Sequence, residues 1–325
     1  TIGEKIAEGE AEEPQTMPII KGTKYGIYQN NTNGKLYFYD GTVIGSNSYQ
    51  AIYGKITDTE VGYDVIIKEN TEEKTLTATL ERLPVAQIGE NKYYSLYDAV
   101  QSVEGTEETT ITLLRNFNIT ETGQSAQIEE GKNIVIDLNG YNMTSTLENT
   151  IINNGKLKIT DSNTENQGTI TLNLIGSNAY VSGIVNETTG KIDIDNNITI
   201  IGKGIYSNTI NNKGEITTNN ISLNSQGSYS SSSNGLRLIF NTGILNVNNS
   251  KLSHIYTDTT YEIYNETGTV NINNIITQGT GRNIHTYEGE VNITGTVTRE
   301  ERGSLVYLDQ KSGTSEGTKL NITNA

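Results

Sequence analysis

Between about Ile152 and Thr294 the chain states one short pattern six times: an aliphatic or aromatic residue, a polar turn usually holding Asn, a Gly, then strict alternation. The instances are IINNGKLKITDS, IVNETTGKIDIDNN, TINNKGEITTNN, IFNTGILNVNN, IYNETGTVNINN and IHTYEGEVNITG, keyed to Gly155, Gly190, Gly214, Gly243, Gly268 and Gly289. Apolar side chains follow each Gly at the second and fourth positions: Leu157/Ile159, Ile192/Ile194, Leu245/Val247, Val270/Ile272 and Val291/Ile293. Only Ile216/Thr218 departs, with Thr in place of the second aliphatic. Period-two alternation specifies a strand with one buried face. Recurrence every roughly 20 to 35 residues specifies one structural unit per repeat, and such units stack.

A short alternating strand cannot bury its apolar face alone. Stacking repeats sets Ile on Ile and gives every strand a hydrogen-bonded neighbour about 4.8 Å away. The connections carry no helical periodicity, so each repeat is expected to wind once around a central core. The expected fold is all-β: a right-handed parallel β-helix solenoid. Asn153, Asn186, Asn211, Asn241 and Asn265 are assigned to one position before the turn; Asn196, Asn220, Asn249 and Asn274 fall six residues after the Gly. Asn tolerates left-handed backbone and hydrogen-bonds its own turn. Equivalent Asn side chains in a stack can also bond one another along the axis.

The acidic balance, a net charge of −15, argues against nucleic acid, whose phosphates call for clustered Lys and Arg. A hydrophobic content of 33 % is low for a globule but sufficient for a solenoid with a thin core and long polar turns. No apolar run of about 20 residues is present, so no membrane insertion is expected. With no Cys, disulfides and thiolate metal sites are excluded. The chain opens on Thr1 and stops without a clear cap, as expected of a piece of a longer protein.

Three segments are expected. Residues 1–16, TIGEKIAEGEAEEPQT, read as a flexible acidic linker. Residues 17–83 read as the end of a preceding β-solenoid module: GIYQNNTNGKLYFYDG repeats the alternation, and GYDVIIKENTEEKTLTATLERL reads as a closing β-hairpin. Residues 84–325 read as a parallel β-helix module of about eight coils, roughly 40 Å long at the strand spacing. It opens on the one helix signal, SLYDAVQSVEG. Ser95 is its N-cap, Asp98 completes a capping box, and Leu96, Ala99, Val100 and Val103 share a face suited to capping the first coil.

The run IGENKYYSLYDAVQSV, ITLLRNFNIT, GKNIVIDLNGYNMTS and GKLKITDS resembles the opening of right-handed parallel β-helix modules in cell-surface proteins of Gram-positive bacteria, within the pectin-lyase-like superfamily. The resemblance covers Val85 to Ile170 closely and the later coils in style. It implies the fold. It also implies an activity class that includes polysaccharide lyases and hydrolases beside adhesins and surface stalks without enzymatic activity. The Asn-Thr-Asp, Asp-Asp, Gly-His-Gly and Arg-x-Lys motifs of the hydrolases are missing from this chain.

Three features carry candidate chemistry. Asp193 and Asp195 share the outward face of one strand, where two carboxylates can contribute to a Ca²⁺ site or form an acid/base pair; the competing reading is a solvated polar face. Arg282 and His285 lie together in GRNIHTYEG, with His285 taking the place of the turn Asn at the surface beside Asn265 and Glu288 near enough for acid/base work. The competing reading is that His simply substitutes for Asn at a turn. The other histidine, His254, has no evident acidic partner in sequence. Outward Tyr residues are the third feature. Tyr25, Tyr28, Tyr37, Tyr39, Tyr49 and Tyr53 crowd the first segment; Tyr206, Tyr229, Tyr256, Tyr261 and Tyr264 follow later, the first four of these being the candidate ligand-binding rings. The competing reading, and the weightier one, is strand propensity and core filling.

The expectation is a non-catalytic segment of an extracellular or cell-surface bacterial protein, an adhesin or spacer meeting a glycan or a host surface protein. No cofactor is required, with Ca²⁺ the one cation the carboxylates suggest. The alternatives are a polysaccharide lyase or glycoside hydrolase with a divergent site, or a phage fibre domain.

Overall fold

The structure, a computed structural model, describes residues 1–2, 17–31, 33–59, 63–120, 123–176, 179–226, 235–254, 261–278, 281–300, 303–309 and 318–323. The chain divides into two compact units, Thr1–Leu83 and Pro84–Ala325.

In the first unit, three successive strands pair in parallel with the three that follow. Ile19–Lys21 lies on Thr42–Ser46, Tyr25–Tyr28 on Gln50–Tyr53, and Tyr37–Phe38 on Asp58–Thr59. The strands Tyr63–Asn70 and Thr75–Arg82 form an antiparallel hairpin, and Thr75–Arg82 covers the edge of Thr42–Ser46. A small core of Ile2, Leu36, Phe38, Val43, Ala51, Ile52 and Ala78 holds this unit together.

The second unit is a parallel β-solenoid. Three ladders run its length, each receiving one strand per coil. The first ladder follows the repeat Gly. It begins Glu108–Leu113, Asn133–Asp137, Lys156–Thr160, Lys191–Ile194 and Glu215–Asn219, and continues in the first halves of the long strands Ile244–His254 and Thr269–Gln278. The second ladder carries Met143–Ser145, Thr169–Ile175, Thr199–Ile205 and Ser222–Ser225, then the second halves of the same long strands. The third is an eight-stranded parallel sheet from Ala126–Ile128 to Gly303–Leu308.

Register converts the sequence repeat into a core. Ile134, Leu157, Ile192, Ile216, Leu245, Val270 and Val291 stand in one column, and Ile136, Ile159, Ile194, Thr218, Val247, Ile272 and Ile293 in the next. All fourteen are buried. Each fully buried aliphatic contributes about 1.5–3 kcal/mol, so stacking stabilises what no single coil can. The repeat Gly also has a steric cause. A Cβ on Gly243, Gly268 or Gly289 would strike the carbonyl oxygen of the Gly one coil earlier. That oxygen accepts from the following coil, as in Ile244 N to Gly214 O at 2.8 Å and Thr269 N to Gly243 O at 2.8 Å.

The two Asn families divide the labour. Asn196, Asn220, Asn249 and Asn274 all have positive φ, between 47° and 61°, and turn the corner from first to second ladder. The other family forms a buried column at the end of the third ladder, with one correction to the expected membership. Asn212, not Asn211, pairs with Asn186 and Asn241. Ile210 points inward and alternation returns the inward direction two residues on, so Asn211 faces out and donates toward Ser182 Oγ at 3.3 Å.

Among the described residues one helix occurs, Leu96–Gln101. Ser95 caps it, its Oγ accepting from Asp98 N at 3.0 Å and donating to the Asp98 carboxylate at 2.7 Å. Leu96, Ala99 and Val100 are buried, in the same cluster as the solenoid columns, and the helix lies against Ala126–Ile128, the first strand of the third ladder. No described helix is long and apolar enough to cross a membrane.

Candidate functional site

The outer side of the third ladder carries a stripe of aromatic and basic side chains. On the strands Leu236–Asn241, Tyr261–Asn265, Gly281–Thr286 and Gly303–Leu308, register stacks Phe240, Tyr264, His285 and Tyr307 in one outward column. Arg237 and Tyr261 form a second column beside it. Tyr264 lies nearly parallel to Phe240 at 5.9 Å, and its edge meets His285 at 4.9 Å. His285 also meets Tyr261 at 5.1 Å and Tyr307 at 5.2 Å.

Arg237 organises one end of this stripe. Its guanidinium carbon lies 3.9 Å from the ring centres of both Tyr180 and Tyr264, so it covers a face of each. Burial raises the hydroxyl pKa of Tyr180 and Tyr264 above 10.0, and the Arg237 charge opposes that rise without cancelling it. Both phenols therefore remain protonated donors across the physiological range. Arg237 was not among the residues singled out from sequence. Its position one rung before Tyr261 is the signal that would have found it, but that requires knowing the register.

His285 does not take the place of the ladder Asn. Thr286 does, standing over Asn265 and accepting from its Nδ2 at 3.0 Å. His285 sits one residue earlier and so on the opposite face, 5 % exposed and packed among rings, with Nε2 3.4 Å from Asp309 Oδ2. Its acidic neighbour is thus Asp309 of the next coil. Arg282 lies on the same strand opposite Ser304; its side chain falls outside the described residues.

His254 corrects a second expectation, because it has an acidic partner inside the core. Its Nδ1 is 3.3 Å from Glu262 Oε1, and both side chains are fully buried. Asn283 and Thr277 are buried with them at 0 % exposure, and Glu262 Oε2 has no hydrogen-bond partner. Burial raises the Glu262 pKa; the hydrogen bond and charge of His254, then Asn283 and Arg299, pull it back. Sequence hid this pair because eight residues separate the two.

Asp193 and Asp195 do lie on the outward side of the first ladder. Asp195 is held by Lys158 Nζ at 3.0 Å and by Thr160 Oγ1 at 2.8 Å, both one coil earlier. Asp193 has its pKa raised, first by burial and then by the charge of Glu215, against the pull of Lys158. Lys191–Glu215 at 2.8 Å and Lys213–Glu187 at 2.9 Å bind neighbouring coils in the same manner. Among the described residues no three His, Cys, Asp or Glu side chains converge as a metal site. The arrangement fits inter-coil ion pairing.

Of the four candidate ligand-binding tyrosines, Tyr261 joins the stripe and Tyr206 lies 6.0 Å from Tyr180, with φ 49°. Tyr229 and Tyr256 lie outside the described residues. Comparison of the chain with family models, with curated proteins and with solved structures returns no match.

Proposed function

We propose that this chain is a non-catalytic segment of a bacterial surface or secreted protein, an adhesin or spacer that displays side chains to an extracellular glycan or host surface protein. The observation that carries the reading is the continuous outward stripe of Tyr180, Arg237, Phe240, Tyr264, His285 and Tyr307 on a stacked scaffold. Its phenol hydroxyls and its guanidinium are donors held on rigid strands, the type of group that fixes hydroxyl-rich or polar partners. The resemblance of Val85 to Ile170 to β-helix modules of Gram-positive surface proteins in the pectin-lyase-like superfamily supports the same reading.

The test is retention of the full chain on a panel of acidic and neutral polysaccharides and extracellular-matrix proteins. Products are followed in parallel as unsaturated uronates by ultraviolet absorbance and as reducing ends. Retention without turnover, weakened by Arg237→Ala, is the expected result. Turnover abolished by Asp193→Ala with Asp195→Ala, or by His285→Ala, overturns the non-catalytic reading. Silence across the whole panel leaves the spacer role alone.

A further inference from the structure

The first unit holds a second aromatic cluster of different character. Tyr28 and Tyr53 occupy the same rung of paired strands and stack at 4.8 Å with planes 16° apart. Tyr25 lies beneath as a hub, 5.0 Å from Tyr28, 5.2 Å from Tyr49 and 5.5 Å from Tyr53. The outer three rings are strongly exposed: Tyr28 at 55 %, Tyr49 at 44 % and Tyr53 at 40 %. Stacking alone does not account for that exposure. In the second unit the comparable rings are half-buried and Arg237 covers two of them, whereas here three rings of one cluster stand in water together.

The segment that carries this cluster is locally cationic, unlike the chain as a whole. From Met17 to Thr57 the sequence contains Lys21, Lys24, Lys35 and Lys55 and one acid, Asp40, in a chain whose net charge is −15; the acid the structure brings to its edge is Glu69, 3.3 Å from Asn47 Nδ2. All four Lys are exposed, and among the described residues none is in an ion pair. Lys24 Nζ stands 5.6 Å over the Tyr49 ring. An acidic protein repels anions over most of its surface, so an isolated cationic segment sets where one can approach.

We propose that Tyr25, Tyr28, Tyr49 and Tyr53, with Lys24 and its neighbouring lysines, form a binding platform for an anionic polysaccharide. The proposal deepens the adhesin reading and rests on it. Exposed phenol rings offer apolar faces for the C–H faces of sugar rings and hydroxyl tips for their polar edges, while the ammonium groups pair with carboxylate or sulfate. Single-stranded nucleic acid would use the same two elements and is the alternative the experiment separates. The carbohydrate is favoured because Tyr28 and Tyr53 already stack on each other, and their exposed hydroxyl rims suit hydroxyl-bearing rings better than intercalating bases.

The experiment titrates the full chain with polygalacturonate, dextran sulfate, neutral dextran, poly-glutamate and a single-stranded oligonucleotide, at low and at physiological salt. Expected is binding to polygalacturonate or dextran sulfate, whichever anionic group fits, with little to neutral dextran. Tyr28→Ala with Tyr53→Ala should weaken it by about tenfold or more, and Lys24→Gln with Lys55→Gln should weaken it and flatten its salt dependence. Circular dichroism and melting check the Tyr variant, and the Lys variant tests the site independently of ring packing. Equal binding to poly-glutamate, or tighter binding to the oligonucleotide, overturns the proposal. Anionic-glycan binding unchanged in both variants removes this platform and leaves the adhesin reading intact. No binding to any of the five probes also removes this platform, and retention on the matrix-protein panel then decides the adhesin reading separately.

Discussion

Asn186 donates its Nδ2–H to Asn212 Oδ1 at 2.9 Å, and Asn212 donates in turn to Asn241 Oδ1 at 2.7 Å, so one side chain is both acceptor and donor in a buried column. The column runs from Asn153 through Asn186, Asn212, Asn241 and Asn265 to Thr286. Each Asn also serves backbone carbonyls, as Asn212 serves Ile244 O at 2.9 Å. Replacing a middle member strands partners on both sides in a fully buried site. Asn212→Ala should therefore cost about 2–4 kcal/mol, more than one hydrogen bond, because unsatisfied buried groups add to the loss. Urea unfolding compared with Asn211→Ala checks it, since the outward Asn211 should cost well under half as much.

Thr218 sits at 0 % exposure in a column of aliphatics, between Ile194 and Val247. Its hydroxyl has only a long contact, 3.4 Å, with Ser250 Oγ, and Ser250 has its own acceptor in Asn248 O at 2.7 Å. Thr218→Val removes an ill-served hydroxyl, adds a buried methyl and leaves Ser250 supplied. A gain of about 0.5–1 kcal/mol is expected, read as a raised denaturation midpoint with unchanged slope. A loss of stability would show that the Ser250 contact matters more than its length suggests.

Asp161 is the acceptor for three backbone N–H groups: Gly140 and Asn163, each at 2.9 Å to Oδ1, and Gly168 to Oδ2. It is 3 % exposed and ties the corner of one coil to that of the preceding one. Asp161→Ala leaves the buried Gly168 donor and the half-buried Gly140 and Asn163 donors unpaired and should cost about 2 kcal/mol or more. Asp161→Asn keeps an acceptor oxygen for Gly140 and Asn163 but turns an NH₂ toward Gly168 N–H, so a smaller loss is expected. Parallel melts of both variants separate the two effects.

These residues show what the sequence made legible. The Gly-keyed alternation carries the columns directly, because period two and repeat length are written in Leu157/Ile159 and their equivalents. The left-handed Asn corners are equally plain, since Asn recurs six residues after the Gly in four of the six repeats, Asp161 and Gly295 standing there in the other two. Turn length before the Gly does vary, and there the reading slipped by one residue: Asn211 for Asn212, and His285 for Thr286. A one-residue slip reverses the face, so it moved His285 from a hydrogen-bonding turn to an aromatic stripe. Counting from the inward Ile210 and Ile284 would have fixed both. Arg237 on Tyr180, made only when coils stack, and Glu262 on His254, made across eight residues, have no local signature at all.

The Glu262–His254 pair gives the protein a specific dependence on pH. Burial holds the Glu262 carboxyl above its ordinary 4.5, so the folded chain binds that proton more tightly than the unfolded chain does. A group of this sign favours the folded state at low pH and loses that contribution as pH rises from 4.5 through its folded value. Ionising that carboxyl within the fold is then a cost, offset in part by His254, Asn283 and Arg299. Glu262→Gln keeps the shape and an acceptor oxygen for His254 without burying a charge. It should melt higher than the parent at pH 8, by a margin that shrinks as pH falls and vanishes below about 4.5, where the parent carboxyl is protonated in both states. Melting curves of parent and variant from pH 4 to 8 decide it. A variant that is less stable at pH 8 would mean instead that His254 and Glu262 are held as an ion pair worth more than its desolvation.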